Sequence, residues 1–171
     1  HPNGKLDVLP STRTAGVAFP VTVNSVDQNW NISSSTRTIQ LITNDNNAPP
    51  INNQQLVNGT TVFMVTLITA NSPWIKAEDT AVTDKLLENQ SPDIPVIPNP
   101  SQYKLLVLLE GESPAPGTSS GKTGPVTSPI AGAPYAVNVR ACDNYWNLNT
   151  NATPQVRVTA NDPYAIQPST A

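Results

Sequence analysis

The reading turns on residues 15–31, AGVAFPVTVNSVDQNWN, which recur as residues 131–147, AGAPYAVNVRACDNYWN. Gly16 and Gly132, Asp27 and Asp143, and Trp30 and Trp146 are each 116 positions apart. Each copy runs through Ala-Gly, an aromatic residue and alternating apolar positions to Asp-x-x-Trp-Asn. After one inserted residue the echo continues, because Asn44, Asp45 and Ala48 match Asn161, Asp162 and Ala165. Such a period is too long for a solenoid and suits a tandem array of small domains.

Within the first copy Phe19, Val21 and Val23 alternate with Thr22 and Asn24, the period of a strand with one buried face. Residues 36–43 resume the alternation through Ile39 and Leu41. Asn58-Gly59 is a tight-turn signal ahead of residues 60–69, TTVFMVTLIT, a β-branched and aromatic run. Residues 74–77 and 94–97 predict two more short strands. The latter belongs at a sheet edge, since Pro95 and Pro98 have no N–H to donate. Residues 80–89 read equally as one helical turn or as a loop. The predicted core is Phe19, Val21, Val23, Ile39, Leu41, Phe63, Val65 and Leu67.

In the second copy, residues 103–109 form an apolar run, expected to be buried on both faces or where two domains meet. Residues 111–124, GESPAPGTSSGKTG, read as a long loop. Gly121-Lys122 there echoes Gly4-Lys5. Residues 155–159 should form the strand that matches 39–43. Residues 56–97 of the first copy have no counterpart after that point, so the second copy is expected to lack its last strands.

Composition agrees with β-structure. Charged residues are 12% of the chain, against ~25% in typical globular proteins. Asn and Thr (19 each) and Pro (18) are abundant instead, a mixture that favours strands and turns over helices. A net charge of −3 offers no basic footprint for nucleic acid, and no apolar run approaches the ~18 residues of a membrane span. The single cysteine, Cys142, stands where Val26 stands in the first copy and reads as a small core residue. His1 is the only histidine. With neither a His/Cys cluster nor a G-x-S-x-G or phosphate-loop motif, the chain is expected to be non-enzymatic and to need no cofactor and no catalytic metal.

The residues Val23, Asp27 and Asn31, and again Val139, Asp143 and Asn147, form a Val-x-x-x-Asp-x-x-x-Asn pattern. With the Gly-Thr turn that follows, this resembles tandem bacterial immunoglobulin-like (Big/invasin-like) repeats of large secreted or surface proteins. The resemblance implies an all-β chain of two tandem immunoglobulin-like β-sandwich domains, over 1–100 and 101–171, the second incomplete. It implies an extracellular or cell-surface module that builds a fibre, filament or stalk by self-association or through neighbouring repeats of the same chain. A glycan-binding or adhesive accessory module is the other reading.

The repeat-motif residues Asp27, Trp30, Asn31, Asp143, Trp146 and Asn147 admit two readings each. The aspartates either accept N–H groups of their own turns, as Asx turns do, or join Asp45 or Asp162 around calcium, which wants six to eight oxygens. The tryptophans either plug the end of a core or, with Trp74, Tyr103, Tyr145 and Tyr164, stack on a sugar. Leu6, Val8 and Leu9 of the N-terminal arm could be donated to a neighbour's sheet. Asn31, Asn58 and Asn151 begin glycosylation triplets.

Overall fold

The computed structural model describes residues 9–101 and 103–166, so Leu6 and Val8 of the arm lie outside the described residues. All regular structure among them is β, and none of them lies in a helix that could cross a membrane. The chain divides into two compact units, His1–Pro98 and Asn99–Ala171.

Unit 1 contains β1 (Arg13–Thr14), β2 (Phe19–Asn24), β3 (Thr38–Thr43), β4 (Gln54–Gln55), β5 (Thr60–Val65), β6 (Ile75–Asp79), β7 (Asn89–Gln90) and β8 (Val96–Ile97). Strand β2 pairs antiparallel with β5, and β1 pairs parallel with β8. The other four form one antiparallel sheet in the order β4-β3-β6-β7. The register explains the alternation. Phe19, Val21 and Val23 stand opposite Val65, Phe63 and Thr61 on one face, and Pro20 and Thr22 stand opposite Met64 and Val62 on the other.

The first face is the buried one. Phe19, Phe63 and Val65 are buried there, and Ile39, Leu41 and Ile75 are buried in the four-stranded sheet. Val21 and Val23 of the predicted core are only half-buried. Leu56, Leu67, Ile94 and Val96, from short strands and loops, complete the core.

Loops are tied down by turn chemistry and by carboxylates. Asn58 and Gly59 have φ of 52° and 82°, the doubly left-handed pair of a type I′ turn. A Cβ on Gly59 would lie 2.2 Å from the Ser33 carbonyl oxygen, so the site needs glycine for space as well as for backbone. Buried Asp79 accepts the Ala81 and Leu86 N–H groups at 2.9 and 3.0 Å. Those bonds hold residues 80–88 as a loop with Val82 and Leu87 fully outside, which settles the open helix-or-loop reading. Buried Asp45 likewise accepts the Ile68 and Thr69 N–H groups at 2.8 and 3.0 Å.

Unit 2 contains β9 (Lys104–Leu109), β10 (Ser113–Pro114), β11 (Lys122–Thr123) and β12 (Val137–Cys142). Strand β12 is the counterpart of β2, and it pairs antiparallel with β9. The expected long loop at 111–124 therefore contains a small hairpin, β10 with β11. Its stem is fastened by Glu112, which accepts the Leu109 N–H at 2.9 Å and forms an ion pair with Lys122.

One of the two alternatives for residues 103–109 fails here, as does the strand expected at 155–159. Residues 103–109 are not buried on both faces: Leu106 and Leu108 are buried, whereas Leu105 and Val107 are 46% and 44% exposed. Residues 155–159 form no strand. Their counterpart β3 is held by β4 and β6, and no described strand of unit 2 stands in for either.

Phe63→Ala should cost about 3–5 kcal/mol, a large share of the ~5–15 kcal/mol that stabilises a small domain. Chemical denaturation of the full chain should show the midpoint of one transition falling accordingly. An unmoved midpoint would reject the proposed core.

Candidate functional site: the repeated Asp-Trp-Asn loops

Each repeat's first long strand runs into the same closed loop. In unit 1 the Asp27 N–H donates to the Asn31 carbonyl at 2.9 Å, and the Trp30 N–H returns to the Asp27 carbonyl at 3.0 Å. One carboxylate oxygen of Asp27 accepts the N–H groups of Asn29 (2.8 Å) and Asn31 (2.9 Å), and the other accepts the Asn31 side-chain amide at 3.1 Å. In unit 2 the Asp143 carboxylate accepts Tyr145 N–H at 2.8 Å, Asn147 N–H at 3.0 Å and the Asn147 amide at 2.9 Å. Trp30 and Trp146 both adopt φ of 66°. A bulky side chain there strains the backbone, at an order of ~1–3 kcal/mol, and the carboxylate's bonds hold it in place.

The two loops differ in what covers them. Asp143 and Asn147 are buried, while Asp27 and Asn31 are exposed. Trp146 is half-buried, but Trp30 is 40% exposed, so the core-plug reading does not hold for both tryptophans.

Three pieces of unit 2 clasp its loop. The Asn99 N–H donates to Asp143 at 3.0 Å. The Lys104 ammonium sits 3.4 Å from the centre of the Trp146 ring and donates to the Asn144 carbonyl at 2.9 Å, a cation–π contact. The hairpin tip supplies the third piece. Trp146 Nε1 donates to the Ser119 carbonyl at 3.2 Å, Gly117 N–H to the Tyr145 carbonyl at 2.7 Å, and Gly121 lies flat beneath the indole. A Cβ on Gly121 would be 2.3 Å from Trp146 Cγ. Among the described residues, nothing takes these places around the unit 1 loop.

Cys142 is buried beside Leu106 and Leu108, with Trp146 packed against them. Burial pushes its thiol pKa up, which keeps it protonated and a poor nucleophile. Asp45 is committed to Ile68 and Thr69, and the matching Asp162 accepts Tyr164 N–H at 2.9 Å. Among the described residues no group of three or more His, Cys, Asp or Glu side chains could hold a metal. Of the other aromatics, Tyr103 and Tyr164 are exposed and Trp74 and Tyr145 half-buried. Leu9 of the arm is exposed, as are Asn31, Asn58 and Asn151, and Asn31 already commits its amide to Asp27.

The clasp residues Asn99, Lys104, Ser119 and Gly121 were not singled out from sequence as partners of the loop. The one available signal was the Gly-Lys echo at 4–5 and 121–122. Comparison with protein-family models, with curated proteins and with solved structures found no match for the chain.

Two measurements follow from this geometry. Asp143→Ala should strip several buried donors of their acceptor, each worth ~1–3 kcal/mol when left unpaired. Asp27→Ala, at an exposed loop, should destabilise much less, and equal losses in denaturation would show that burial does not separate the loops. The Asp27 carboxyl is held below its ordinary 3.8, first by the Asn31 side-chain amide and then by the Asn31 and Asn29 N–H groups. A depressed pKa stabilises the folded loop above pH 3.8 and loses that contribution as pH falls through the lowered value. An NMR titration should show the Asn31 amide shifting only in that acid range, and Asp27→Asn should abolish the shift.

Proposed function

We propose that the chain is a non-enzymatic, extracellular structural module of two tandem immunoglobulin-like β-sandwich domains and a building block of a surface fibre or stalk. The resemblance to bacterial immunoglobulin-like repeats motivates this reading. The strand pairing of unit 1 supports it, because a two-stranded pair, a four-stranded sheet and a parallel pairing of first and last strands fit such a sandwich.

One observation carries the proposal. The face of β2 that is core in unit 1 has its counterpart in unit 2 on the pairs Val137–Leu109, Val139–Val107 and Ala141–Leu105. There it is open: Leu105, Val107 and Val137 are 46%, 44% and 39% exposed. Strand β12 also has no described strand on the side away from β9. A contiguous apolar sheet face with a free edge marks an interaction surface, and strand addition from a neighbour is a physical way to fill it.

The full chain should therefore associate in a concentration-dependent way by light scattering and form filaments under the electron microscope. Leu105→Glu with Val107→Glu should suppress association while leaving the folded spectrum intact. Loss of assembly on deleting residues 1–10 would make the arm, with Leu6, Val8 and Leu9, the donor strand. A chain that stays monomeric at every concentration would reject the fibre reading.

A further inference from the structure

The two units each hold a different half of one arrangement. Strand β12 has β9 at one edge, and its equivalent β2 has β5 at one edge. The partners are not equivalent to each other. Strand β9 precedes the repeated stretch, while β5 follows it. In unit 2 residues 99–124 also lay a strand and a hairpin against the Asp-Trp-Asn loop. Among the described residues, no segment takes the same positions in unit 1, and the side chains there are partly exposed. Val26, the counterpart of buried Cys142, is 36% exposed, Trp30 is 40% exposed, and on the outer face of β5 Val62 and Met64 are 50% and 60% exposed.

We propose that the 27–31 loop and the adjoining edge of β2 form an acceptor site for a strand-and-hairpin segment of the 99–124 type, carried by another repeat of this kind. The site deepens the fibre reading by naming a contact between repeats. It rests on the tandem-repeat part of that reading.

Unit 2 specifies the contact residue by residue. The incoming strand pairs with β2 and its continuation as β9 pairs with β12. Val107 of the segment falls opposite Val23, Leu106 opposite Asn24, and Lys104 opposite Val26, in the register of Val139, Arg140 and Cys142. Its Leu106 and Leu108 cover Val26 and the edge of Trp30, as they cover Cys142 beside Trp146. Its lysine sits over the Trp30 ring and donates to the Gln28 carbonyl, the counterpart of Asn144. Its Asn99 N–H reaches the Asp27 oxygen that holds the Asn31 amide, as Asn99 reaches Asp143. Its glycine corresponding to Gly121 lies flat under Trp30.

Several features of unit 1 suit this occupant. The loop is already closed in the geometry that unit 2 shows when clasped, down to the same Trp φ. Docking therefore asks for no backbone rearrangement, which lowers the cost of association. The anionic Asp27 and the indole face both favour a segment bearing a cation at this position.

The test uses the full chain, isotope-labelled, and an unlabelled synthetic peptide of residues 99–124. The Trp30 indole signal is assigned by Trp30→Phe. Saturable shifts of the Trp30 indole and of the amides at 21–31 are expected. A peptide carrying Gly121→Ala should bind at least ~tenfold more weakly, because that methyl cannot fit under the indole. Lys104→Ala in the peptide should weaken binding too. Placing these changes in the peptide keeps the folding of the chain out of the result. The proposal is overturned if the peptide shifts nothing at 21–31, or if it exchanges only into the 137–147 region. It is also overturned if Gly121→Ala binds equally well, or if an oligosaccharide panel shifts Trp30 where the peptide does not. Peptide binding by a chain that forms no filaments would sink the fibre reading and leave the acceptor site standing. Filaments without peptide binding would do the reverse.

Discussion

A carboxylate that accepts backbone N–H groups is the interaction on which each repeat depends. Where β2 and β12 leave their ladders, the chain turns through five residues, and donors that a sheet would have paired need another acceptor. Asp27 and Asp143 supply it, and in doing so they hold a tryptophan in a left-handed backbone that sterics disfavour. Asp45 and Asp79 do the same for other loops of unit 1. In a chain with only 12% charged residues, these aspartates serve chiefly as internal acceptors for backbone N–H groups. The depressed pKa of Asp79, caused first by the Ala81 and Leu86 N–H groups, reflects that use.

Fixing the Trp backbone makes the indole a platform of defined orientation. In unit 2 that platform organises what lies before it in sequence: a lysine on one face, a glycine beneath, and a carbonyl at the indole nitrogen. A two-stranded sheet alone is marginally stable in water. The clasped tryptophan, the Glu112–Lys122 pair and the buried trio of Leu106, Leu108 and Cys142 give β9 and β12 the additional contacts they need.

Much of unit 1 was legible because its signals are local. Period-2 alternation marked β2, β3 and β5, and Asn58-Gly59 marked the turn into β5. The Asp-x-x-Trp-Asn spacing marked the loop, since an Asx turn is written within five residues. What was not legible is non-local. Residues 155–159 alternate as residues 39–43 do, yet a strand exists only where another strand satisfies its backbone. The burial of a tryptophan depends on segments up to 42 positions away, as Lys104 and Trp146 show, and nothing in the local pattern distinguishes Trp30 from Trp146. Residues 105–109 are apolar throughout, so their sequence could not say which face would be covered.

These failures share a physical cause, which bears on what the folding unit is. The sequence repeat begins near Ala15 and Ala131, but the contacts do not respect that boundary. Strand β9 lies ahead of the repeated stretch and pairs with β12, whereas β5 lies behind it and pairs with β2. The central strand therefore has two edges that suit two different partners, one drawn from each side of the sequence. With β5 present its inner face is core, and with β9 and the hairpin present its outer face is covered. Among the described residues neither unit has both, and each leaves more exposed the face that the other buries. A single alternating sequence thus gives a half-buried Val21 opposite Phe63 and an exposed Val137 at the matching position, with the difference set by neighbours rather than by the strand itself.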